Sequence, residues 1–112
     1  MAKIVKNITI PQGSDFSKTF TSLESNGAAT NLTGYSAEAK LKKHSGASTS
    51  YTFSAAFASD RTTGQLTISL TDSVTTTIES GRYYYDIRLT NASGIKSRLA
   101  EGMATVTAGI TI

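Results

Sequence analysis

The chain of 112 residues contains no cysteine and no tryptophan, and Pro11 is its only proline. Without cysteine it can form no disulfide, no thiolate nucleophile and no zinc site with cysteine ligands. His44 is the only histidine, and it lies in a polar stretch without an acidic residue close to it in sequence. A surface position is therefore more plausible for His44 than a role as general base. We expect a non-enzymatic protein with no metal and no cofactor.

Strong charge and long apolar runs are also absent. The 11 basic and 8 acidic residues give a net charge of +3 and are scattered along the chain. This pattern favours a solvated surface over a nucleic-acid footprint, so we expect no nucleic-acid partner. No apolar run approaches the ~20 residues of a membrane span, and residues 1–10 lack the apolar core of a signal peptide. We therefore expect that the protein does not associate with a membrane and that it is synthesised in a cytoplasm.

What the chain does have is alternation of apolar and polar residues with a period of two. Serine and threonine make up about three residues in ten, which suits the solvent side of strands. The most regular stretch, residues 81–107, predicts a long β-hairpin that reverses at residues 91–94. Gly94 supplies the positive φ that a three-residue loop needs. The expected register pairs Leu89 with Ile95, Tyr85 with Leu99 and Asp86 with Arg98.

Shorter alternating segments precede the hairpin, and turn signals separate them every eight to twelve residues. Together they predict about seven strands and one short helical turn near residues 72–80, in which Asp72 or Ser73 is the cap and Val74 and Ile78 face the core. This pattern is typical of an all-β protein, an antiparallel immunoglobulin-like β-sandwich with residues 1–112 as a single domain. A small β-barrel is the main alternative. Tyr83 or Tyr85 is expected to bond back to the preceding loop, as in a tyrosine corner.

The alternation changes phase near Glu101 and Gly102. A bulge there would turn Ala104 and Val106 inward and Met103 outward. Beyond the last strand, residues 108–112 form an apolar tail. Two interpretations of this tail remain open: it frays, or it adds as a strand to a neighbouring subunit.

In the predicted topology the third, sixth and seventh strands share a sheet, and their outward side chains are mostly charged. This face is either a solvated surface with cross-strand ion pairs or a docking face with Tyr84 and Arg88 as anchors. On the second hypothesis, the candidate interface residues are Tyr84, Arg88, Lys96, Arg98, Met103, Ile110 and Ile112.

Four short motifs resemble a family of small immunoglobulin-like β-sandwiches in tailed-bacteriophage virion proteins. The first, at residues 10–16, is an isoleucine and then, after Pro11, glutamine, glycine, a polar residue, aspartate and phenylalanine. The others are leucine-threonine-glycine-tyrosine at 32–35, the strand from Gly81 to Asp86, and Glu101-Gly102. The match spans nearly the whole chain, and the motifs are mostly structural.

The resemblance implies a virion structural protein, made in the host cytoplasm, that contacts other virion proteins as a homo-oligomer within a symmetric assembly. It most directly implies a tail, baseplate or collar subunit for fibre attachment. A capsid decoration (cement) protein is one alternative, and an adhesin module that binds host glycan is another. The family offers no catalytic residues, and none is expected here.

Overall fold

The computed structural model describes residues 3–24, 26–44 and 46–110. They form a β-sandwich with one α-helical turn and one 3-10 turn. The strands are β1 (Ile4–Val5), β2 (Ile8–Pro11), β3 (Phe16–Thr21), β4 (Ser36–Lys42), β5 (Ser50–Thr52), β6 (Ser54–Phe57), β7 (Gln65–Leu70), β8 (Gly81–Thr90) and β9 (Lys96–Thr107). The 3-10 turn is Arg61–Thr63, and the α-helical turn, α1, is Asp72–Thr75.

The strands form two sheets, as predicted for a sandwich. The larger sheet has the order β5-β4-β8-β9-β1, with β2 also paired to β9, and the smaller sheet has the order β3-β7-β6. The predicted third, sixth and seventh strands are β4, β8 and β9, and they do share a sheet. The pairing is antiparallel except where β1 and β2 run parallel to β9.

Seven predicted strands appear as nine because two of them are interrupted. The first strand divides into β1 and β2 at Lys6 and Asn7, where the Lys6 amide donates to the Glu101 carbonyl at 3.0 Å. The fourth divides at Phe53, so that β5 pairs with β4 and β6 pairs with β7. Phe53 lies where the chain passes from the larger sheet to the smaller one, and its side chain is buried in the core.

The core lies between the inner faces of the two sheets. Phe53 packs against Phe16 and Tyr85, with ring centroids 6.1 and 6.5 Å apart. Tyr85 also contacts Phe20 across the sandwich at 6.3 Å. Aromatic pairs at these separations add to the stabilisation from buried apolar area. The alternation of Tyr83 and Tyr85 with Tyr84 is thus confirmed, because the first two are buried and the third is exposed.

The predicted register of the hairpin is wrong by two residues beside the loop, and by three beyond the irregularity between Ile87 and Arg88. Leu89 pairs with Ser97 and Tyr85 with Gly102, and Ile95 is 65% exposed beside the loop. A shift of two preserves which side chains face inward, so the alternation could not reveal the error. The loop has the expected form: Asn91 donates its amide to the Ile95 carbonyl, and Gly94 has a φ of 84°.

The phase change in β9 occurs at Leu99, not at Glu101 and Gly102. Ile87 pairs with Ala100 and Arg88 with Arg98, so Leu99 is the extra residue of a β-bulge. Leu99 and Ala100 are both fully buried, although they are consecutive. After the bulge, Ala104 and Val106 face the core as predicted.

The segment between β7 and β8 contains the predicted helical turn, α1. Its cap differs from the prediction, since the Asp72 amide donates to Oδ1 of Asp15, a residue far away in sequence, at 2.8 Å. Ile78 is buried and Val74 packs against the core, as predicted. The Tyr83 hydroxyl donates to the Glu79 carbonyl at 2.8 Å, which confirms the predicted bond back to the preceding loop.

Candidate docking site on the larger sheet

The outer face of the larger sheet is built of rows that cross β4, β8 and β9. The period of two places every second residue of each strand on this face, and the registers align these residues across the sheet. The rows are Ser36–Thr90–Lys96, Glu38–Arg88–Arg98, Lys40–Asp86–Glu101 and Lys42–Tyr84–Met103.

Two of these rows place like charges opposite each other. Arg88 pairs with Arg98 and Asp86 pairs with Glu101, which is unfavourable between adjacent strands. Three ion pairs relieve the repulsion: Arg98 lies 3.5 Å from Asp86 on the diagonal and 3.4 Å from Glu101 along β9, and Arg88 lies 3.1 Å from Glu38 directly across on β4. The expected contact between Asp86 and Arg98 therefore exists, although it is diagonal.

Glu101 has a second cation beside it. Lys3 Nζ lies 3.0 Å from Glu101 Oε1. The hydrogen bond and charge of Lys3, and then those of Arg98, lower the pKa of the Glu101 carboxyl below its usual value. All three acidic side chains of this face are thus already paired with cations of the same face.

Four basic side chains of this face have no ion pair within the described part of the chain: Lys40, Lys42, Arg82 and Lys96. The face therefore carries an excess of uncompensated positive charge, whereas its acidic groups are neutralised. Exposed ion pairs of this kind contribute only about 0–1 kcal/mol each to stability. The arrangement consequently matters more for the electrostatic potential of the face than for the fold.

Tyr84 stands at the centre of a groove that crosses this face. It lies between Lys42 on β4 and Met103 on β9, and it is 49% exposed. The groove has a volume of about 770 Å³ and continues to Val5, which is 72% exposed. Asn7 closes this end of the groove by accepting a hydrogen bond from the Met103 amide at 3.2 Å. The groove thus has, at one end, cations that are unpaired among the described residues. At the other end it has the apolar side chains of Val5 and Met103 beside the ion-paired Glu101, and the ring of Tyr84 lies between the two ends.

Five of the predicted interface residues lie on this one face. They are Tyr84, Arg88, Lys96, Arg98 and Met103. Ile110 follows the end of β9 and is fully exposed, and it does not belong to the rows of the face. Ile112 lies outside the described residues.

Val5 is the member of the groove that sequence reasoning missed. The alternation in residues 4–10 identifies it as an outward residue but gives no neighbour for it. Parallel pairing places Val5 opposite Glu101, at the edge of the groove. No local pattern near Val5 predicts that pairing, because it joins residues almost a whole chain apart.

His44 also lines the groove, beside Lys42, and its side chain is exposed. Asp86 and Glu101 share the groove but are held by Arg98 and Lys3. Among the residues that the structure describes, no group of three histidine, cysteine, aspartate or glutamate side chains lies close enough to hold a metal ion. The same residues include no helix with the length and apolar character of a membrane span.

The outer face of the smaller sheet is different in character. Its side chains within the strands are uncharged and mostly hydroxyl-bearing: Ser17, Thr19, Thr21, Ser54, Ala56, Gln65, Thr67 and Ser69. Thr19 and Thr67 share a hydrogen bond of 2.8 Å between their hydroxyl oxygens. The two faces of the sandwich are therefore chemically distinct, and the charge and the exposed aromatic ring are both on the larger sheet.

No family model and no curated protein matches the chain. Among solved structures, the chain is similar to an internalin-like protein of Listeria monocytogenes, with a TM-score of 0.45 and 12% sequence identity. The similarity covers 96% of this chain and 28% of the internalin-like protein, so the chain spans about a quarter of that protein's length.

Proposed function

We propose that this chain is a non-catalytic structural protein of a tailed-phage virion, and that it joins a symmetric assembly through the outer face of its larger sheet. The observation that carries the proposal is the arrangement around Tyr84. The exposed ring of Tyr84 lies beside Met103 and close to Arg98, and tyrosine, methionine and arginine are enriched at protein interfaces. The tail, baseplate or collar is the proposed location within the particle.

Gln12 and Gly102 belong to two of the motifs that resemble phage β-sandwiches, and both make contacts within the scaffold. Gln12 donates its side-chain amide to the Ile78 carbonyl at 2.7 Å and accepts the Gly109 amide at 3.0 Å. It thereby ties the turn after β2 to the segment after α1 and to the chain beyond β9. A Cβ at Gly102 would collide with the Lys6 carbonyl, so the glycine permits the close approach of the first strand. These roles support a common fold, and the docking function rests on the face alone.

The test is the copy number and position of the chain in purified particles. Quantitative mass spectrometry and cryo-electron microscopy should find it at about six or twelve copies in the tail region, as expected for rotational symmetry. The variant Tyr84→Ala should fold normally and be depleted from particles. The variant Thr67→Ala, on the opposite face, is the control and should be incorporated normally. Absence of the chain from particles would refute the proposal, and hundreds of copies on the shell would indicate capsid decoration instead.

A further inference from the structure

The groove around Tyr84 has a direction, and this restricts what can fill it. One end is formed by Lys40, Lys42 and His44. The other has Met103 and Val5 as its apolar side chains, with Asn7 and the ion-paired Glu101 beside them. The groove crosses β4, β8, β9 and β1, which is three strand spacings or about 14 Å. An extended polypeptide covers that distance with about four residues. A short segment is therefore enough to contact both ends.

From this geometry we propose that the groove binds a short acidic-aliphatic segment of a partner protein. The carboxylates of the segment contact Lys40 and Lys42, and an aliphatic side chain about four residues further along contacts Val5 and Met103. Tyr84 packs against the backbone between these two contacts. This inference rests on the proposed docking function and adds the chemistry of the partner.

Charge complementarity supports an acidic partner. Lys40 and Lys42 have no ion pair within the described part of the chain, so a partner carboxylate would not displace an existing acid. The acidic residues of the groove, Asp86 and Glu101, are already occupied by Arg98 and Lys3. They consequently offer little attraction to a basic partner. Complementary potentials of this kind raise association rates and exclude partners of the wrong sign.

The same groove is poorly suited to nucleic acid. Double-stranded DNA carries one negative charge per about 1.7 Å of its axis. Such a polyanion would bring phosphates over Asp86 and Glu101 and over the apolar end at Val5 as well as over the lysines. A polypeptide segment can instead place its carboxylates at one end only. The distribution of charge along the groove therefore favours protein over nucleic acid.

The experiment uses a synthetic peptide, acetyl-Glu-Glu-Gly-Ser-Leu-Val-amide, with the full chain in isothermal titration calorimetry. We expect binding that weakens with added salt, and a loss of about tenfold or more in affinity for Lys42→Glu or Tyr84→Ala. The matched control is Lys96→Glu, the same charge reversal on the same face but outside this groove. Lys96 lies in the row of Ser36, about 20 Å along the strands from Lys42, and its reversal should change affinity less than about twofold.

A second peptide tests the sign of the interaction. The charge-inverted peptide, with lysine at both glutamate positions, should not bind the parent chain but should bind Lys40→Glu/Lys42→Glu. Circular dichroism of each variant establishes that it is folded.

Three results would overturn the inference. They are no binding of the acidic peptide up to about 1 mM, equal loss for Lys42→Glu and Lys96→Glu, or tighter binding of a poly(dT) oligonucleotide than of the peptide. If the peptide fails while Tyr84→Ala is still excluded from particles, the docking function stands and the acidic partner is wrong. If the peptide binds but the chain is absent from particles, the virion proposal is wrong and the groove chemistry stands.

Discussion

At the scale of single residues, the two buried tyrosines of β8 perform different tasks. Tyr83 bonds to Glu79 four residues earlier, so its bond is local and could be expected from the sequence. Tyr85 donates to the Lys6 carbonyl at 2.5 Å and thereby joins β8 to the interruption between β1 and β2. That contact could not be expected, since it depends on the parallel pairing of the first strand with the last. Burial raises the pKa of the Tyr85 hydroxyl from 10.0 to about 12.

This pKa predicts a loss of stability at alkaline pH. The unfolded chain releases the Tyr85 proton near pH 10, whereas the folded chain retains it until about pH 12. The contribution of this group is therefore complete below pH 10 and is lost as the pH rises through that interval. Tyr85→Phe should be less stable at neutral pH by about 1 kcal/mol, because it loses the bond to Lys6. The difference from the parent should shrink between pH 10 and 12.

Urea denaturation across this pH range measures the effect. Tyr83, whose pKa is also raised by burial, remains in both proteins and contributes equally to their alkaline decline. Tyr84→Phe removes an exposed hydroxyl instead and should leave stability at neutral pH unchanged. A constant difference between the parent and Tyr85→Phe at every pH would contradict the assignment.

At the scale of elements, the edges of the sheets are the places where a second chain could pair. The strand β3 is an edge of the smaller sheet, and Lys18 occupies one of its core-facing positions, between Phe16 and Phe20. Inward-pointing charges on edge strands prevent further strands from adding, because their burial would be costly. The β5 edge of the larger sheet is only three residues long, which has a similar effect.

Replacement of this lysine should promote self-association. Lys18→Ile makes the inner side of β3 continuously apolar and leaves its edge open to strand addition. We expect larger species than the parent forms at equal concentration, measured by sedimentation velocity. Lys18→Arg keeps the charge and should behave like the parent. Identical sedimentation of the parent and Lys18→Ile would show that the charge of Lys18 does not prevent strand addition at β3.

At the scale of the whole molecule, the sandwich is closed by contacts between its first and last segments. The strand β2 pairs along the end of β9, and Gln12 reaches both Ile78 and Gly109. The last strand ends at Thr107, and Ile110 beyond it is fully exposed. The fold therefore depends on β9, whereas residues 108–110 add no strand to it.

Removal of residues 108–112 tests the hypothesis that this apolar tail adds as a strand to a neighbouring subunit. The truncated chain should unfold at nearly the same temperature, because its described part, residues 108–110, contributes one side-chain contact of Gln12 worth about 1 kcal/mol and no strand. If the tail pairs with a neighbouring subunit, incorporation into particles should fall. Unchanged incorporation would show that the tail does not pair with a neighbouring subunit. A large fall in the melting temperature would show that the tail belongs to the fold.

The sequence by itself determined the class of fold and the orientation of most side chains. Period-two alternation indicates which residues face inward, so the buried tyrosines of β8, the exposed Tyr84 and the outward positions on the larger sheet were all predictable. Turn residues such as Gly94 marked where strands end. These features are local, because they depend on residues that are close together in the chain.

Only the tertiary structure decided how the strands meet. The hairpin register differs by two residues from the loop onward, and the bulge at Leu99 adds one more. Asp15 capped α1 from a distant turn, and parallel pairing brought Val5 to the groove. The physical reason is that alternation is unchanged by a shift of two residues, so it cannot specify register or partner. Those are settled by packing between residues far apart in sequence, and the groove at Tyr84 is a product of that packing.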